Sequence, residues 1–397
     1  MVQEEGHTAQ SVLIVDDNVK NLQVLGKYLQ REGLHVEFAI DGPSALQWLD
    51  RRKFDLILLD IMMPGPDGYE ICYAIKNNTT TKEIPVIFMT SLADTENIVK
   101  GFDSGAVDYI TKPFIHRELL ARVRTHLKNL RSKNQIVQYL DQLREKSKSI
   151  TESLTYASYI QEAILKSYEN DIRHLRDYFL INLPKDVLSG DFLWYRNIDD
   201  NHIIATFDCT GHGVPGALMS ILGVSLLNEI VVSDEVHRPA EILDYLSEGI
   251  KVALEQRNDS IRLKDGMEGA VITYRPGSGY LHFAGSFSPL LIISDGELVQ
   301  VKADKIPVGY CEGFGKFHTT SLKVKKGDTV YLFTDGIIDQ FGGPQGKRFM
   351  MKNLKELLLE VHDLPMPGQK KAITEKFFAW KGDIVQTDDV LVLGLRV

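Results

Sequence analysis

The sequence predicts two folded units of different class joined by a long helix: a doubly wound α/β sheet near the N-terminus and an α+β sandwich flanked by helices in the second half. Three observations carry this. Residues 11–127 alternate short apolar strands with amphipathic helices, the pattern of a parallel sheet with crossover helices. Glu118–Lys166 contains neither proline nor glycine and is rich in Leu, Gln, Lys, Glu and Arg. From residue 178 onward strands alternate with turns, and helical stretches are spaced between them.

At 397 residues the chain is long enough for two substantial cores, since a domain takes about 100–200 residues. Apolar residues at 44% and charged residues at 25% suit an ordinary globular protein. The apolar runs look far shorter than a membrane span, and Met1–Gln10 has no signal-peptide core, so no membrane contact and a cytoplasmic location are expected. Cys72, Cys209 and Cys311 have no metal-ligand spacing and read as reduced thiols. A net charge of −9 and the lack of a helix-turn-helix after residue 127 argue against nucleic acid as a partner.

In the first unit each apolar strand delivers polar residues to its carboxyl end. Val12–Val15 ends in Asp16-Asp17, Leu56–Leu59 in Asp60, Val86–Met89 in Thr90-Ser91, and Tyr109–Thr111 in Lys112-Pro113. Doubly wound sheets hold their sites at that edge. Asp16, Asp17 and Asp60 would repel one another unless a cation joined them, which implies Mg²⁺, and Lys112 could then pair with a phosphoryl group. The segment 11–127 resembles a response-regulator receiver domain, a flavodoxin-like fold, on Asp16–Asn18, Asp60 with Met63-Pro64 and Asp67-Gly68, Thr90-Ser91 and Lys112–Phe114. The resemblance implies that Asp60 is the phosphoacceptor, that Asp16 and Asp17 hold the metal, that Thr90 and Lys112 contact the phosphoryl group, and that Tyr109 is an aromatic switch. It also implies a sensor histidine kinase or small phosphodonor as partner.

Between the units, 128–177 reads as a helical coiled-coil linker. Val123, Leu127, Leu130, Asn134 and Val137 keep a three-four spacing, Leu140 and Leu143 shift the phase, and Ser147, Ile150, Leu154, Ala157, Gln161 and Ile164 resume it. A heptad stripe with a stammer favours a homodimer through parallel pairing over a solvated single helix, with Asn134, Ser147 and Gln161 as polar seam residues that set register.

The third segment, 178–397, is organised around Phe207–Ser220. An apolar strand delivers Asp208 to its end, where Gly211, Gly213 and Gly216 turn the chain into an apolar helix. Other acids share this posture: Asp191 precedes Phe192–Tyr195, Asp335 and Asp339 follow Val330–Thr334, and Asp388-Asp389 opens Val390–Gly394. Asp-Gly is a common turn dipeptide and Asp a common helix cap, so each acid alone is weak evidence. Gathered in one cleft, they form the oxygen-rich site that Mg²⁺ or Mn²⁺ prefers. Helices are expected at Gly216–Val232, Pro239–Gln256, Lys347–Val361 and Gln369–Lys381, with loops at Cys311–Gly315 and Phe341–Gly346.

With Ser189–Asp191, Asp208–Pro215, Phe283–Gly285 followed by Pro289, Thr334–Gly336 and Asp388-Asp389, residues 178–397 resemble the metal-dependent type 2C Ser/Thr protein phosphatases, in the branch of the stage II sporulation protein E. The resemblance implies two Mn²⁺ or Mg²⁺ ions activating a water. Asp208 would bridge them, the Cys209 carbonyl would be a second contact, Asp335 and Asp388 would ligate the first ion, and Asp191 would reach a metal directly or through water. Asp265 and Asp339 match positions where relatives hold a third, weaker ion. The chain departs from the pattern at Trp194 and Leu391 and in Gly285–Pro289, which lacks a histidine found in some relatives, and His212 reads as structural. The combined expectation is a response regulator in which Asp60 phosphorylation controls dephosphorylation of a phosphoserine or phosphothreonine protein. The resemblance implies an anti-sigma-factor antagonist as substrate. The rival reading is a non-catalytic adaptor with a degenerate phosphatase fold.

Overall fold

The computed structural model describes residues 10–91, 95–175, 177–254, 265–310 and 315–397. Cys311, the loop at 311–314 and the end of the helix expected to reach Gln256 lie outside the described residues. The chain forms two compact units, Met1–Ser147 and Lys148–Val397.

The first unit runs β1 (Ser11–Val15), α1 (Val19–Arg31), β2 (His35–Ala39), α2 (Gly42–Arg51), β3 (Leu56–Asp60), α3 (Gly68–Asn77), β4 (Val86–Thr90), α4 (Thr95–Asp103), β5 (Asp108–Thr111) and α5 (His116–Asp171). Its strands form one parallel sheet in the order β2-β1-β3-β4-β5. β1, β3 and β4 are buried on both faces, which is why they read as unbroken apolar runs rather than alternating ones. Asn18 caps α1 and Asp67 closes a capping box with Glu70 at α3, so the polar residues beyond β1 and β3 also start helices.

Helix α5 is continuous for 56 residues and passes from the first unit into the second. The proposed seam is only partly free. Val123 and Leu127 belong to the core of the parallel sheet, and Ile136, Val137, Leu140, Leu143 and Ile150 are exposed. Gln161 is no seam residue: it is buried within the second unit, which needs it for hydrogen bonds described below.

The second unit continues with β6 (Tyr178–Leu183), β7 (Phe192–Ile198), β8 (Asn201–Cys209), α6 (Val214–Asn228), α7 (Pro239–Ala253), β9 (Gly266–Tyr274), β10 (Tyr280–Ser286), β11 (Leu290–Ser294), β12 (Glu297–Val301), β13 (Val308–Gly309), β14 (Thr320–Lys323) and β15 (Thr329–Phe333). It closes with α8 (Gly336–Asp339), the hairpin β16 (Phe341–Gly342) and β17 (Lys347–Arg348), α9 (Met350–Val361), α10 (Met366–Lys381) and β18 (Val390–Arg396). One sheet has the order β14-β10-β9-β8-β7 with β13 beside β9, and the other β12-β11-β15-β18-β6. They face each other as a sandwich. Leu193, Ile204, Ile272, Leu332 and Leu393 fill the space between the sheets. The outer face of the first sheet packs on α6 and α7, that of the second on α9 and α10.

Val214–Ser233, α6 with its π-helical last turn, is 20 residues long and apolar enough to cross a membrane by length and composition, against the expectation that no apolar run is that long. Half of it is buried, and Met219, Val224, Leu227, Ile230 and Val231 are part of the core, so it is apolar because the sandwich covers it.

Candidate functional site

The period-two alternation of the strands places the acids. Along β8, Ile203, Ala205, Phe207 and Cys209 point to the helix side, whereas Ile204 joins the inter-sheet core and Asp208 shares its parity. Along β7, Leu193 and Tyr195 face that core, and Asp191 lies on the same parity one step before the strand. Thr334 follows Val330 and Leu332 of β15, and Asp389 precedes Leu391 and Leu393 of β18. The alternation that builds the sandwich core therefore continues past its end with polar residues. Glu268, which the sequence reading missed, is directly opposite Asp208 in the β8–β9 register.

Asp191 is 1% exposed; its Oδ2 accepts the Thr334 hydroxyl at 2.6 Å, and its Oδ1 has no hydrogen-bond partner. Burial pushes its carboxyl well above the usual carboxylate range, and the charges of Asp389, Asp388 and Asp335 add to this. Asp208 is pushed up to about 10 by burial and by Asp191, Asp335 and Asp388. Asp335 faces solvent, yet partial desolvation and the charges of Asp339 and Asp388 raise it, against a hydrogen bond shared with Asp208 and the nearby Arg348 guanidinium. Glu268 is raised by desolvation and then by Asp335. The charges of Asp191, Asp208, Asp335 and Asp388 act on one another at this end of the sandwich, but no three of these carboxylates bring ligand oxygens within 4.8 Å of one another.

Asp389 does different work from Asp388. Its two oxygens accept the backbone N–H groups of Lys185 and Gly190, both at 2.7 Å, and so fix the loop that carries Asp191. A Cβ at Gly190 would lie 3.3 Å from the Cys209 carbonyl, and one at Gly336 would collide with the Asp389 carbonyl at 1.8 Å, so glycine permits both close approaches. The same loop is held from the other side by α5. Gln161 donates to the Ser189 carbonyl at 2.6 Å and to the Ser220 hydroxyl at 2.9 Å, and accepts the Ser189 N–H at 3.2 Å.

A cavity of about 340 Å³ opens beside Asp208 and Asp335, with Phe287, Pro289, Ile338 and Met351 among its walls. In the first unit, Asp16, Asp17 and Asp60 bring ligand oxygens within 4.8 Å of one another, the one such group of three among the described residues. Lys112 donates to Asp16 at 2.8 Å and to Asp60 at 2.6 Å, and Asn21 donates to both oxygens of Asp16. Burial raises the Asp60 carboxyl even though Lys112 acts against it. Thr90 is buried at the end of β4, beside the end of β5 that leads into Lys112. Tyr109 lies under the Arg122 guanidinium, 5.7 Å from its ring centre.

The family model for stage II sporulation protein E (SpoIIE) matches residues 199–397, half of the chain. The chain belongs to the SpoIIE family. A response regulator receiver domain model matches residues 12–124. The SpoIIE unit is similar to the SiaA-PP2C domain of Pseudomonas aeruginosa, with a TM-score of 0.58 and 31% identity over 64% of this chain and 98% of that one. The receiver is 43% identical over 114 residues to the response regulator PleD of Caulobacter vibrioides, covering 29% of this chain and 25% of PleD. It is 40% identical over 117 residues to the transcriptional regulatory protein ResD of Bacillus subtilis, covering 30% of this chain and 48% of ResD. The chain thus spans a quarter to about half of these curated relatives.

Within the SpoIIE unit the remaining predicted residues are spread around the acid cluster. Asp339 pairs with Arg348 at 3.1 Å and acts on Asp335 through its charge, while Asp265, just before β9, accepts the Thr210 hydroxyl at 3.4 Å. His212 is exposed and pairs with Asp186 at 2.8 Å. Trp194 is buried in the core, where its indole N–H donates to Asn228, and the Leu391 N–H donates to the Thr334 hydroxyl. These two departures from the family pattern are packing and strand positions. Cys209 is buried and has a thiol raised by burial, which leaves its carbonyl as the group facing Gly190.

Proposed function

We propose that this receiver–SpoIIE chain is a response regulator whose output is metal-dependent dephosphorylation of a phosphoserine or phosphothreonine protein, controlled by phosphorylation of Asp60. The observation that carries it is the buried Asp191 oxygen without a partner amid acids that raise one another's pKa, since such a set is stable only with protons or with cations. Every donor there is an oxygen, which suits Mg²⁺ or Mn²⁺. Asp208, Asp335, Asp388, Asp191 and the Cys209 carbonyl would hold two ions, and Asp265 and Asp339 would hold a third.

When bound, such ions supply an activated water and neutralise charge growing on the phosphoryl oxygens. The chain's own residues set the geometry. Thr334 fixes one Asp191 oxygen and leaves the other without a hydrogen-bond partner, Asp389 and Gln161 hold the Ser189–Asp191 loop, and β8 with its glycine turn presents Asp208. In the receiver, Mg²⁺ would sit among Asp16, Asp17 and Asp60, and a phosphodonor, either a sensor histidine kinase or a small molecule, would load Asp60. Thr90 and Lys112 would contact the new phosphoryl group. The exposed apolar residues of α5 support a homodimer through the linker, and by family resemblance the substrate is an anti-sigma-factor antagonist.

The test is Mn²⁺-dependent hydrolysis of p-nitrophenyl phosphate and of a phosphoserine protein, with and without beryllofluoride on the receiver. Turnover that is lost in Asp208→Ala and altered by beryllofluoride supports the reading. Equal rates in wild type and Asp208→Ala would leave the non-catalytic adaptor.

A further inference from the structure

The cavity beside Asp208 and Asp335 has walls that metal chemistry does not need. At about 340 Å³ it holds the volume of roughly eleven waters, far more than one phosphoryl group and its attacking water require. Its acidic end is Asp208, Glu268 and Asp335, and the rest includes Phe287, Pro289, Ile338 and Met351.

Phe287 is the informative residue. It adopts φ +55°, the left-handed region that a bulky side chain avoids at a cost of about 1–2 kcal/mol. The surrounding contacts hold it there: its N–H donates to the Asp304 carbonyl at 2.9 Å, the Ser288 N–H to the Ser286 carbonyl at 2.6 Å, and the Ser288 hydroxyl to the Phe333 carbonyl at 3.0 Å. The result is a phenylalanine that is 43% exposed as a residue, at the edge of the acid site. Strained backbone that keeps an apolar side chain partly in water is a functional signal, because neither core packing nor solubility accounts for it.

We propose that this cavity is a subsite for a bulky apolar side chain of the substrate, within one or two residues of the phosphorylated one, with Phe287, Ile338 and Met351 as its specificity-determining walls. The occupant follows from continuity: Asp208 and Asp335 line the same cavity, so a phosphoresidue at the acids places its neighbours, about 3.3–3.6 Å per residue along an extended chain, against these walls. The inference rests on the phosphatase reading and deepens it by naming the substrate class, a segment with Leu, Met or Phe flanking the phosphoserine.

The experiment uses the full-length protein with Mn²⁺ and a set of phosphoserine peptides that differ only in Ala, Asp, Leu or Phe at the flanking positions, with p-nitrophenyl phosphate as the small substrate. Burial of a leucine side chain predicts a kcat/KM about ten- to a hundredfold higher for the Leu or Phe peptide than for the Ala peptide. The Leu-to-Ala ratio, which cancels any general loss of activity, should fall toward one in Ile338→Trp, which fills the cavity. In Met351→Ala, which enlarges it, the preference should move from Leu toward Phe. Anisotropy titrations of fluorescein-labelled peptides on Asp208→Asn should show the same order without turnover. A flat peptide profile in both assays, with p-nitrophenyl phosphate still hydrolysed, overturns the subsite and leaves the phosphatase reading standing. Leu-selective binding without any Mn²⁺-dependent turnover in wild type overturns the phosphatase reading and keeps the apolar subsite.

Discussion

Both units collect aspartates at strand ends, but they settle the charge differently. In the receiver, the Lys112 ammonium lies between Asp16 and Asp60, so part of the repulsion is cancelled by the chain itself. In the SpoIIE unit, among the described residues, the cation that acts on this set is the Arg348 guanidinium near Asp335, and it is paired with Asp339. One site carries its own counter-cation. The other is left with excess negative charge that protons or divalent ions must balance.

The largest effect expected from this contrast is on turnover. Asp208→Asn should lower Mn²⁺-dependent hydrolysis on the order of 10³-fold, about 4 kcal/mol of barrier, because the site would exchange a charged carboxylate ligand for a neutral amide. The same variant should raise the melting temperature in EDTA, since it removes a carboxyl that the fold disfavours when charged. A drop in EDTA melting temperature would mean that Asp208 is not under electrostatic strain.

The pH dependence comes next. The folded state holds the Asp208 proton more tightly than the unfolded chain does, so the metal-free SpoIIE unit loses stability as pH rises from the ordinary 3.8 toward about 10. Thermal melts in EDTA should therefore decline between about pH 5 and about 8, and Mn²⁺ should remove the decline. A flat metal-free profile would break the comparison.

In the receiver, Lys112→Ala leaves two buried carboxylates without their cation and should cost on the order of 3 kcal/mol, with Mg²⁺ recovering part of it. Denaturant melts with and without Mg²⁺ read this directly. The smallest effect is at Gln161→Ala, which removes three hydrogen bonds at a buried loop and should cost about 1–3 kcal/mol. Turnover should fall along with it, because the loop carries Asp191. Unchanged turnover would show that Asp389 alone suffices to hold that loop.

The sequence made the strand-end acids legible because short apolar runs that stop or start at Asp are a local pattern. Asp16, Asp60, Asp191, Asp208 and Asp335 could be named that way. What it hid depends on register between distant strands. Glu268 faces Asp208 only through the β8–β9 pairing, and Asp389 is distinguished from Asp388 only by which residue continues the inward parity of β18. Gln161 departs from its heptad role for a related reason. Heptad spacing shows that a helix face is shared, but not whether another helix or a loop of the same chain covers it, and here the loop at Ser189 does.

The Gln161 carboxamide clasps one residue of that loop with both its ends, donating a hydrogen bond to the Ser189 carbonyl and accepting one from the Ser189 N–H. A grip of that kind resists twisting as well as pulling. If α5 turned about its own axis, both bonds would break together, so the helix is better suited to release the loop abruptly than to loosen it by degrees.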